Sequence, residues 1–207
     1  MALAHQWHRT ARNARAFTLI ELLVVTAIIT VITGVVFANN NRFGGIILLE
    51  NLTYDVALSI RQAQVYGISV SRFGDTNFSA GYGIDFNVSS PTTYTLFGDS
   101  SDNGLYDCTI PGSGGCELVA ATTIASGYRI ASLCSTPAGG SEGCSGINTI
   151  DVLFKRPEPD AWISSNGNSC ITDSSACQES ARITLTSPRG DTMSVVIEAN
   201  GQISVGK

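Results

Sequence analysis

A single carboxylate lies inside the longest apolar stretch of this sequence. Residues 17–38 read FTLIELLVVTAIITVITGVVFA, and Glu21 is the one charged side chain among them. At a rise of ~1.5 Å per residue, a helix of this stretch would be about 33 Å long, enough to cross a hydrocarbon core of ~30 Å. A carboxylate placed there costs about 2.5–3.5 kcal/mol on insertion scales, so Glu21 is expected to have a function that offsets this cost.

The segment before the apolar stretch is basic. Residues 1–16 contain no acidic residue and three arginines, Arg9, Arg12 and Arg15. Arginines directly before an apolar helix keep that end in the cytoplasm, so the rest of the chain is predicted to lie outside. A secretory signal peptide is the alternative, because Val36-Phe37-Ala38 would pass as a signal-peptidase site. The apolar run is longer than the usual ~7–15 residues of such a peptide, and Glu21 has no role in one.

The start of the apolar stretch, Ala16-Phe17-Thr18-Leu19-Ile20-Glu21-Leu22, resembles the processing motif of type IV prepilins and type II secretion pseudopilins. The resemblance implies that a prepilin peptidase cuts between Ala16 and Phe17 and methylates the new N-terminus. It also implies that Glu21 pairs with the N-terminal amine of a neighbouring subunit during assembly, which neutralises two buried charges and penalises wrong registers. Ala16 departs from the glycine that usually precedes the cut, but alanine is small enough to be accepted.

The same resemblance implies partners and a location. The expected partners are other pilin or pseudopilin subunits, the prepilin peptidase, an inner-membrane assembly platform with its cytoplasmic ATPase, and the lipid bilayer. The chain would cross the bacterial cytoplasmic membrane once, with its N-terminus inside, and then enter an extracytoplasmic filament. The later segments LSIRQAQVYGISV, GYGIDF, TYTLFGDSSDNGLYD and ARITLTSPRGDTMSVVIEANGQISVGK resemble the minor pseudopilin branch called GspH/FimT-like.

Charge and composition exclude several functions. The 207 residues carry 12 basic and 17 acidic side chains, and loss of the three leader arginines would leave 9 against 17, a sum of −8. Such an acidic domain argues against nucleic acid as a general partner. Both histidines, His5 and His8, precede the expected cut, so the mature chain has no histidine-based triad or metal site. Because no nucleophile motif is visible either, the chain is predicted not to be an enzyme.

Six cysteines lie in the half that is predicted to be exported: Cys108, Cys116, Cys134, Cys144, Cys170 and Cys177. An even number outside the cytoplasm favours disulfides, whereas zinc would need CxxC pairs or histidines that are absent. Sequence spacing suggests three local loops, Cys108–Cys116, Cys134–Cys144 and Cys170–Cys177, although other pairings remain open. Each local loop would contribute roughly 2–3 kcal/mol in the loop-entropy treatment.

The stretch from Asp99 to Asp107, DSSDNGLYD, is the one candidate metal site. Its possible calcium ligands have alternating spacing: Asp99, Ser101, Asn103, the carbonyl of Leu105, and Asp107. The pattern is incomplete, because Ser101 replaces a carboxylate and Ile110 stands where a bidentate glutamate is expected. Asp, Asn and Gly are also the usual residues of a plain turn, so that interpretation stays open and no other cofactor is predicted.

Lys155 and Arg156 form the only pair of adjacent basic residues. Together with Arg182 and Arg189 they could contact the phosphates of DNA, as in an uptake pilin. The neighbouring residues Pro157, Glu158, Pro159 and Asp160 favour a rigid, solvated turn instead. Trp162 is most simply an anchor in the core of the sheet, although an exposed tryptophan could serve adhesion.

One helix and a set of strands must position these residues. The predicted organisation has five parts: a leader to be removed (1–16), a transmembrane and assembly helix (17–38), a flexible joint (39–45), an amphipathic second half of the helix (46–70) and an extracytoplasmic β-rich domain (71–207). The joint is expected to bend or melt because its asparagines and glycines are poor helix formers. The fold class is therefore α+β and pilin-like, with a long N-terminal hydrophobic helix and a C-terminal antiparallel, sandwich-like sheet domain with disulfides.

Apolar residues at helical spacing indicate the face of the second half-helix that meets the sheet: Leu49, Leu52, Val56, Ile60, Ala63 and Val65 or Tyr66. Gly67 is predicted to end that helix. Short alternating or β-branched segments between turn residues predict nine strands: 81–88, 93–98, 118–124, 128–133, 149–154, 161–165, 181–186, 192–198 and 202–205.

The function expected from these features is structural. The chain is predicted to be a minor pilin or pseudopilin, a subunit of a type IV pilus or of a type II secretion pseudopilus, and the shared motif does not decide between the two. The alternative is a binding module at the tip of such a filament, for DNA uptake, adhesion or recognition of an exported substrate. A membrane-tethered enzyme is disfavoured by the missing histidine and nucleophile motif.

Overall fold

The computed structural model describes residues 17–69, 80–108 and 116–206, without the side chains of 38–43. The predicted leader of residues 1–16 lies outside the described residues, and so does Ile110, which occupies the last ligand position of the calcium pattern. The chain divides into two compact units, Met1–Phe43 and Gly44–Lys207. Each unit is therefore described by itself.

Helix α1 runs from Leu19 to Ile68 and contains 50 residues. Its main chain remains helical through residues 39–45, so the predicted melting there is wrong, while the bend and the flexible joint remain predictions. Asparagine and glycine cost at most about 1 kcal/mol each relative to alanine in a helix, and helix formation is cooperative. The long helical segments on both sides are therefore sufficient to carry the main chain across the weak residues.

The second half of α1 buries the face that its apolar spacing indicates. The buried side chains are Leu49, Leu52, Val56, Ile60 and Ala63. Of the two alternatives for the next position, Tyr66 packs against the core and Val65 is exposed. This helix face is thus part of the core of the β-rich domain.

Nine strands follow α1 among the described residues, and all nine were predicted. Their bounds are β1 Gly81–Asn87, β2 Thr93–Asp99, β3 Leu118–Thr123, β4 Arg129–Pro137, β5 Thr149–Phe154, β6 Ala161–Ser165, β7 Gln178–Thr186, β8 Thr192–Glu198 and β9 Ile203–Gly206. The largest differences from prediction are the longer β4 and β7, which pair with each other over most of their length. Each of these strands is distant in sequence from the other, and their pairing stabilises terminal residues for which local propensity does not predict a strand.

The strands form two antiparallel sheets. The five-stranded sheet has the order β3-β2-β1-β5-β6, and the four-stranded sheet has the order β4-β7-β8-β9. Apolar side chains from both sheets and from α1 share one hydrophobic core, which includes Ile60, Phe86, Phe154 and Ile183. The structure is therefore the predicted helix followed by an antiparallel sheet domain.

Three disulfides close local loops in this domain. They join Cys108 to Cys116, Cys134 to Cys144 and Cys170 to Cys177, and no free cysteine is present in the described residues. These are the pairs that the sequence spacing suggests. The paired cysteines are close in sequence, so no disulfide joins distant strands.

Two residues near the end of α1 fix the helix to the domain. The side-chain amide of Gln64 donates hydrogen bonds to the carbonyls of Pro159 at 2.9 Å and Gly201 at 3.1 Å. A Cβ atom on Gly67 would lie 2.2 Å from the carbonyl oxygen of Phe154 in β5. Gly67 lies one residue before the end of α1, and its structural role is this close approach to the sheet.

We expect Gly67→Ala to lower the free energy of unfolding by about 1–3 kcal/mol, because helix and strand must separate to admit the new methyl group. Urea unfolding can be followed by the fluorescence of Trp162 in a Trp7→Phe background, where Trp162 is the only tryptophan. Gly44→Ala is the matched control, because a Cβ there meets nothing within 4 Å. Equal effects of the two substitutions would contradict the proposed role of Gly67.

Candidate functional sites on the helix and the outer sheet face

The start of α1 places Glu21 at a helix cap. The hydroxyl oxygen of Thr18 accepts a hydrogen bond from the main-chain N–H of Glu21 at 3.3 Å, and the carbonyl of Thr18 accepts one from the N–H of Leu22 at 3.2 Å. The spacing Thr-x-x-Glu is that of a capping box, and a carboxylate in the first turn also suits the helix dipole. Thr18 is therefore the cap of α1, a role that the sequence analysis missed although the spacing itself was a signal for it.

The first part of α1 is apolar on all sides. Its segment Leu19–Phe37 has a mean hydropathy of 2.6, and none of it is buried within the protein. Its threonine hydroxyls donate to carbonyls of the same helix: Thr26 to Leu23, Thr30 to Thr26 and Thr33 to Ile29. Length, composition and these internal hydrogen bonds together make the segment suitable for a hydrocarbon environment.

Asp99 of the predicted calcium loop is directed at its own turn. One carboxylate oxygen accepts hydrogen bonds from the N–H of Asn103 and the hydroxyl of Ser101, and the other accepts from the N–H of Gly104 at 3.0 Å. Burial raises the pKa of Asp99, and the two main-chain N–H groups partly oppose that rise. The side chain thus fixes the turn that follows β2.

Glu117 joins the two ends of this loop and was not predicted. It is buried, and one carboxylate oxygen accepts from the N–H groups of Ser100 and Ser101 at 2.8 and 2.9 Å. The other oxygen accepts from the N–H of Asp107 at 3.1 Å. No local sequence pattern marks Glu117, because its partners lie 10 to 17 residues earlier in the chain.

The contacts of the acidic loop are those of a turn. Asn103 donates from its side-chain amide to Asp107 at 2.6 Å, and its side-chain oxygen accepts from the N–H of Leu105. Among the described residues, no group of three or more His, Cys, Asp or Glu side chains could hold a metal ion. Calcium binding remains a prediction, while the geometry corresponds to the turn interpretation.

Two aspartates face each other on the sheet surface that points away from the core, which we call the outer face. Asp85 in β1 lies directly opposite Asp151 in β5, with Thr95 and Ser164 next to them in the flanking strands. Asp151 is buried, and it accepts a hydrogen bond from the N–H of Tyr106 at 3.1 Å. The pair therefore lies beneath the acidic loop.

Burial and mutual repulsion favour the protonated forms of this pair. Burial raises the pKa of Asp85 to about 6. Burial, followed by the negative charge of Asp85, raises the pKa of Asp151 to about 7, while the N–H of Tyr106 partly opposes that rise. The pair lines a cavity of about 390 Å³ whose described lining contains no lysine or arginine. Near neutral pH the two carboxyls consequently compete for a shared proton.

The basic residues suggested for DNA contact are distributed over both sheets. Lys155, directly after β5, forms an ion pair with Asp102 at 2.5 Å, and Arg182 in β7 forms one with Glu142 at 2.6 Å. These carboxylates neutralise two of the four cations of the suggested site. The geometry thus gives no support to a phosphate-binding surface.

Trp162 is not the core anchor that the sequence suggested. It lies in β6 between the core residues Ala161 and Ile163, so that its side chain lies on the outer face, and 40% of it is exposed. The preference of tryptophan for burial does not determine which face of a strand it occupies. Its neighbours in register decide that.

We expect the β-rich domain to lose stability as pH rises from about 4 to 8. The pKa values of Asp85 and Asp151 are raised in the folded state, so the folded state binds more protons than the unfolded state in that range. At about 1.4 kcal/mol per raised pKa unit, the loss should be on the order of several kcal/mol, and Asp151→Asn should remove a large part of it. Urea midpoints at several pH values, measured by Trp162 fluorescence, provide the test.

The control for this pH dependence is Asp55→Asn on the exposed side of α1. It should leave the decrease in stability unchanged. A flat pH profile in the unsubstituted protein, or an equal effect of both substitutions, would show that the raised pKa values are wrong.

Comparison with known proteins yields one match, at the N-terminus. Residues 11–37 match the prokaryotic N-terminal methylation motif. No curated protein and no solved structure matches the chain. The motif is the prepilin signal of type IV pilin-like proteins, which are structural subunits processed by prepilin peptidase and assembled with other pilins. The chain therefore carries the N-terminal signal of type IV pilin-like proteins, and this signal overlaps the apolar first part of α1.

Proposed function

We propose that this protein is a minor pilin or pseudopilin, a structural subunit of a type IV pilus or type II secretion pseudopilus. The observation that carries the proposal is the methylation motif at residues 11–37, which overlaps the exposed apolar segment of α1. A segment of this length that its own protein leaves uncovered needs lipid or other helices around it. Filament assembly supplies both environments in turn.

In this proposal, processing exposes the amine that assembly uses. A prepilin peptidase cuts between Ala16 and Phe17, methylates Phe17 and leaves α1 in the membrane. The arginines before the cut keep the N-terminus in the cytoplasm and the β-rich domain outside. The subunit then enters the filament through the inner-membrane assembly platform.

Glu21 would act at two levels. Within the subunit it stands at the helix cap with Thr18. Between subunits its carboxylate would pair with the N-terminal amine of a neighbour, because an unpaired charge is costly among apolar helices. The two roles can be separated experimentally, since glutamine also serves in a capping box but carries no charge.

A second stretch of α1 supports packing among subunits. The face of the helix that its own domain leaves uncovered carries large apolar side chains at helical spacing: Ile47, Tyr54, Leu58, Val65 and Ile68. An apolar stripe of this kind is the usual seam between packed helices. The proposed filament would cover this stripe with neighbouring subunits.

Intact mass of the membrane-extracted protein under non-reducing conditions tests the processing step. We expect a chain that begins at methylated Phe17 and lacks the six hydrogens of three disulfides. Ala16→Gly should be processed at least as fully, since glycine usually occupies that position. A chain that begins at Asn39 would contradict the proposal, because signal-peptidase cleavage would leave no assembly helix.

Glu21→Gln should leave membrane insertion intact or improved and lower incorporation into filaments by on the order of tenfold or more, because the charge that pairs with the amine is lost. Incorporation is measured as the sheared-filament fraction of the tagged subunit. Thr18→Ala is the matched control: it removes the cap but keeps the carboxylate, so it should have a much smaller effect. Normal incorporation of Glu21→Gln would count against the pairing.

The second candidate function is a binding module at the tip of such a filament. The exposed position of Trp162 on the outer face of the sheet, next to the buried Leu153, favours it. Within the superfamily, the GspH/FimT-like branch remains our proposal on the basis of the strand-region segments quoted above. DNA is the least supported ligand, because Lys155 and Arg182 are paired with carboxylates.

A further inference from the structure

Trp162 stands out among the surface residues of the β-rich domain. Beyond α1, the large apolar side chains that the described residues expose are Val119 in β3 and Trp162 in β6. A surface with so few of them is typical of a soluble domain, and an exposed tryptophan on it is a candidate for ligand contact.

The sheet register explains why Trp162 is uncovered. Phe97, Gly83, Leu153 and Trp162 form one row across β2, β1, β5 and β6 on the outer face. Tyr106 packs on Phe97 with ring centroids 5.8 Å apart, and Leu153 is completely buried. Trp162 is the last member of the row, on an edge strand, where this cover ends.

A shallow pocket of about 280 Å³ surrounds the indole. Besides Trp162, its described lining consists of two apolar and four charged residues: Pro157, Ile171, Lys155, Arg156, Glu158 and Asp160. The size lies at the lower end of small-ligand sites, which are ~300–1,000 Å³. It suits a ring-sized group and is too small for a folded partner.

The charges of the rim select the kind of ligand. Two cations and two carboxylates sum to zero, and the ammonium of Lys155 is also held by Asp102. A phosphate or nucleic acid would need an excess of cations, and an apolar peptide would have to desolvate the charged rim. A neutral ligand with one apolar face and many hydroxyls fits both the indole and the rim.

We propose that Trp162 and its charged rim bind a neutral polysaccharide. The apolar C–H face of one pyranose ring stacks on the indole, while its hydroxyls donate to Glu158 and Asp160 and accept from Arg156. This inference deepens the second function proposed above, a binding module on a filament, and rests on it for its biological setting. The binding itself needs only the folded domain.

The test is a titration of the full chain in a detergent without sugar headgroups. The probes are cellohexaose, maltohexaose and chitohexaose, each raised to millimolar concentration. In the Trp7→Phe background, at least one of them should give a saturable change in Trp162 fluorescence, matched by calorimetry. A saturable response to an oligothymidylate and to none of the sugars would overturn the proposal, as would no saturable response at all.

Substitutions then locate the binding by calorimetry. Trp162→Leu should lower the affinity for the sugar that gave a saturable response at least tenfold. Glu158→Gln should lower that affinity several-fold while the urea midpoint stays the same. Val119→Ser removes the other exposed apolar side chain and should leave affinity unchanged. Equal affinities of Trp162→Leu and the unsubstituted protein would overturn the proposed site.

The outcomes also separate this site from the filament proposal. Trp162→Leu should enter filaments normally, because the residue lies on the outer face of the sheet and is not part of the exposed apolar stripe of α1. If the protein binds sugar but its Glu21→Gln variant assembles normally, the sugar site is supported and the assembly mechanism is rejected. Normal assembly without any sugar binding would reject the site alone.

Discussion

The burial of one face of α1 against both sheets is the interaction on which the β-rich domain depends. Leu49, Val56 and Ile60 are buried in the core that both sheets share, and the same residues fix which side of the helix faces outward. Gln64 and Gly67 then lock the last turns against the domain through hydrogen bonds and close contact. The second half of α1 is therefore part of the core of the β-rich domain, and removing it would expose the apolar side chains that it covers.

The first part of α1, Leu19–Phe37, has a different kind of surface. There its side chains are apolar on every side, and the threonine hydroxyls are satisfied by the helix itself. One continuous element thus has an apolar surface suited to lipid or other helices at one end and a face buried in a protein core at the other. Glu21 is the exception, and it lies in the first turn, where a carboxylate is least costly to the helix.

The outer face of the five-stranded sheet is held together by buried carboxylates. Asp99 and Glu117 each accept main-chain N–H groups from a loop that lacks regular structure, and Asp151 accepts one more from Tyr106. Buried polar groups beneath a loop need hydrogen-bond partners, because a buried polar group without one costs folding free energy. The acidity of this surface is thus largely structural, and the exposed indole at its edge is the part left for binding.

Sequence by itself determined the features that depend on neighbours along the chain. The processing motif, the apolar helix, the buried helix face, the nine strands and the disulfide-prone cysteine pairs all follow from local spacing. What only the tertiary structure decided were contacts between distant residues. These are the order of the strands, the opposition of Asp85 and Asp151, the role of Glu117 and the exposed face of Trp162. The reason is physical: a strand's alternation shows that it has two faces, but only its partners in the sheet decide which face is covered.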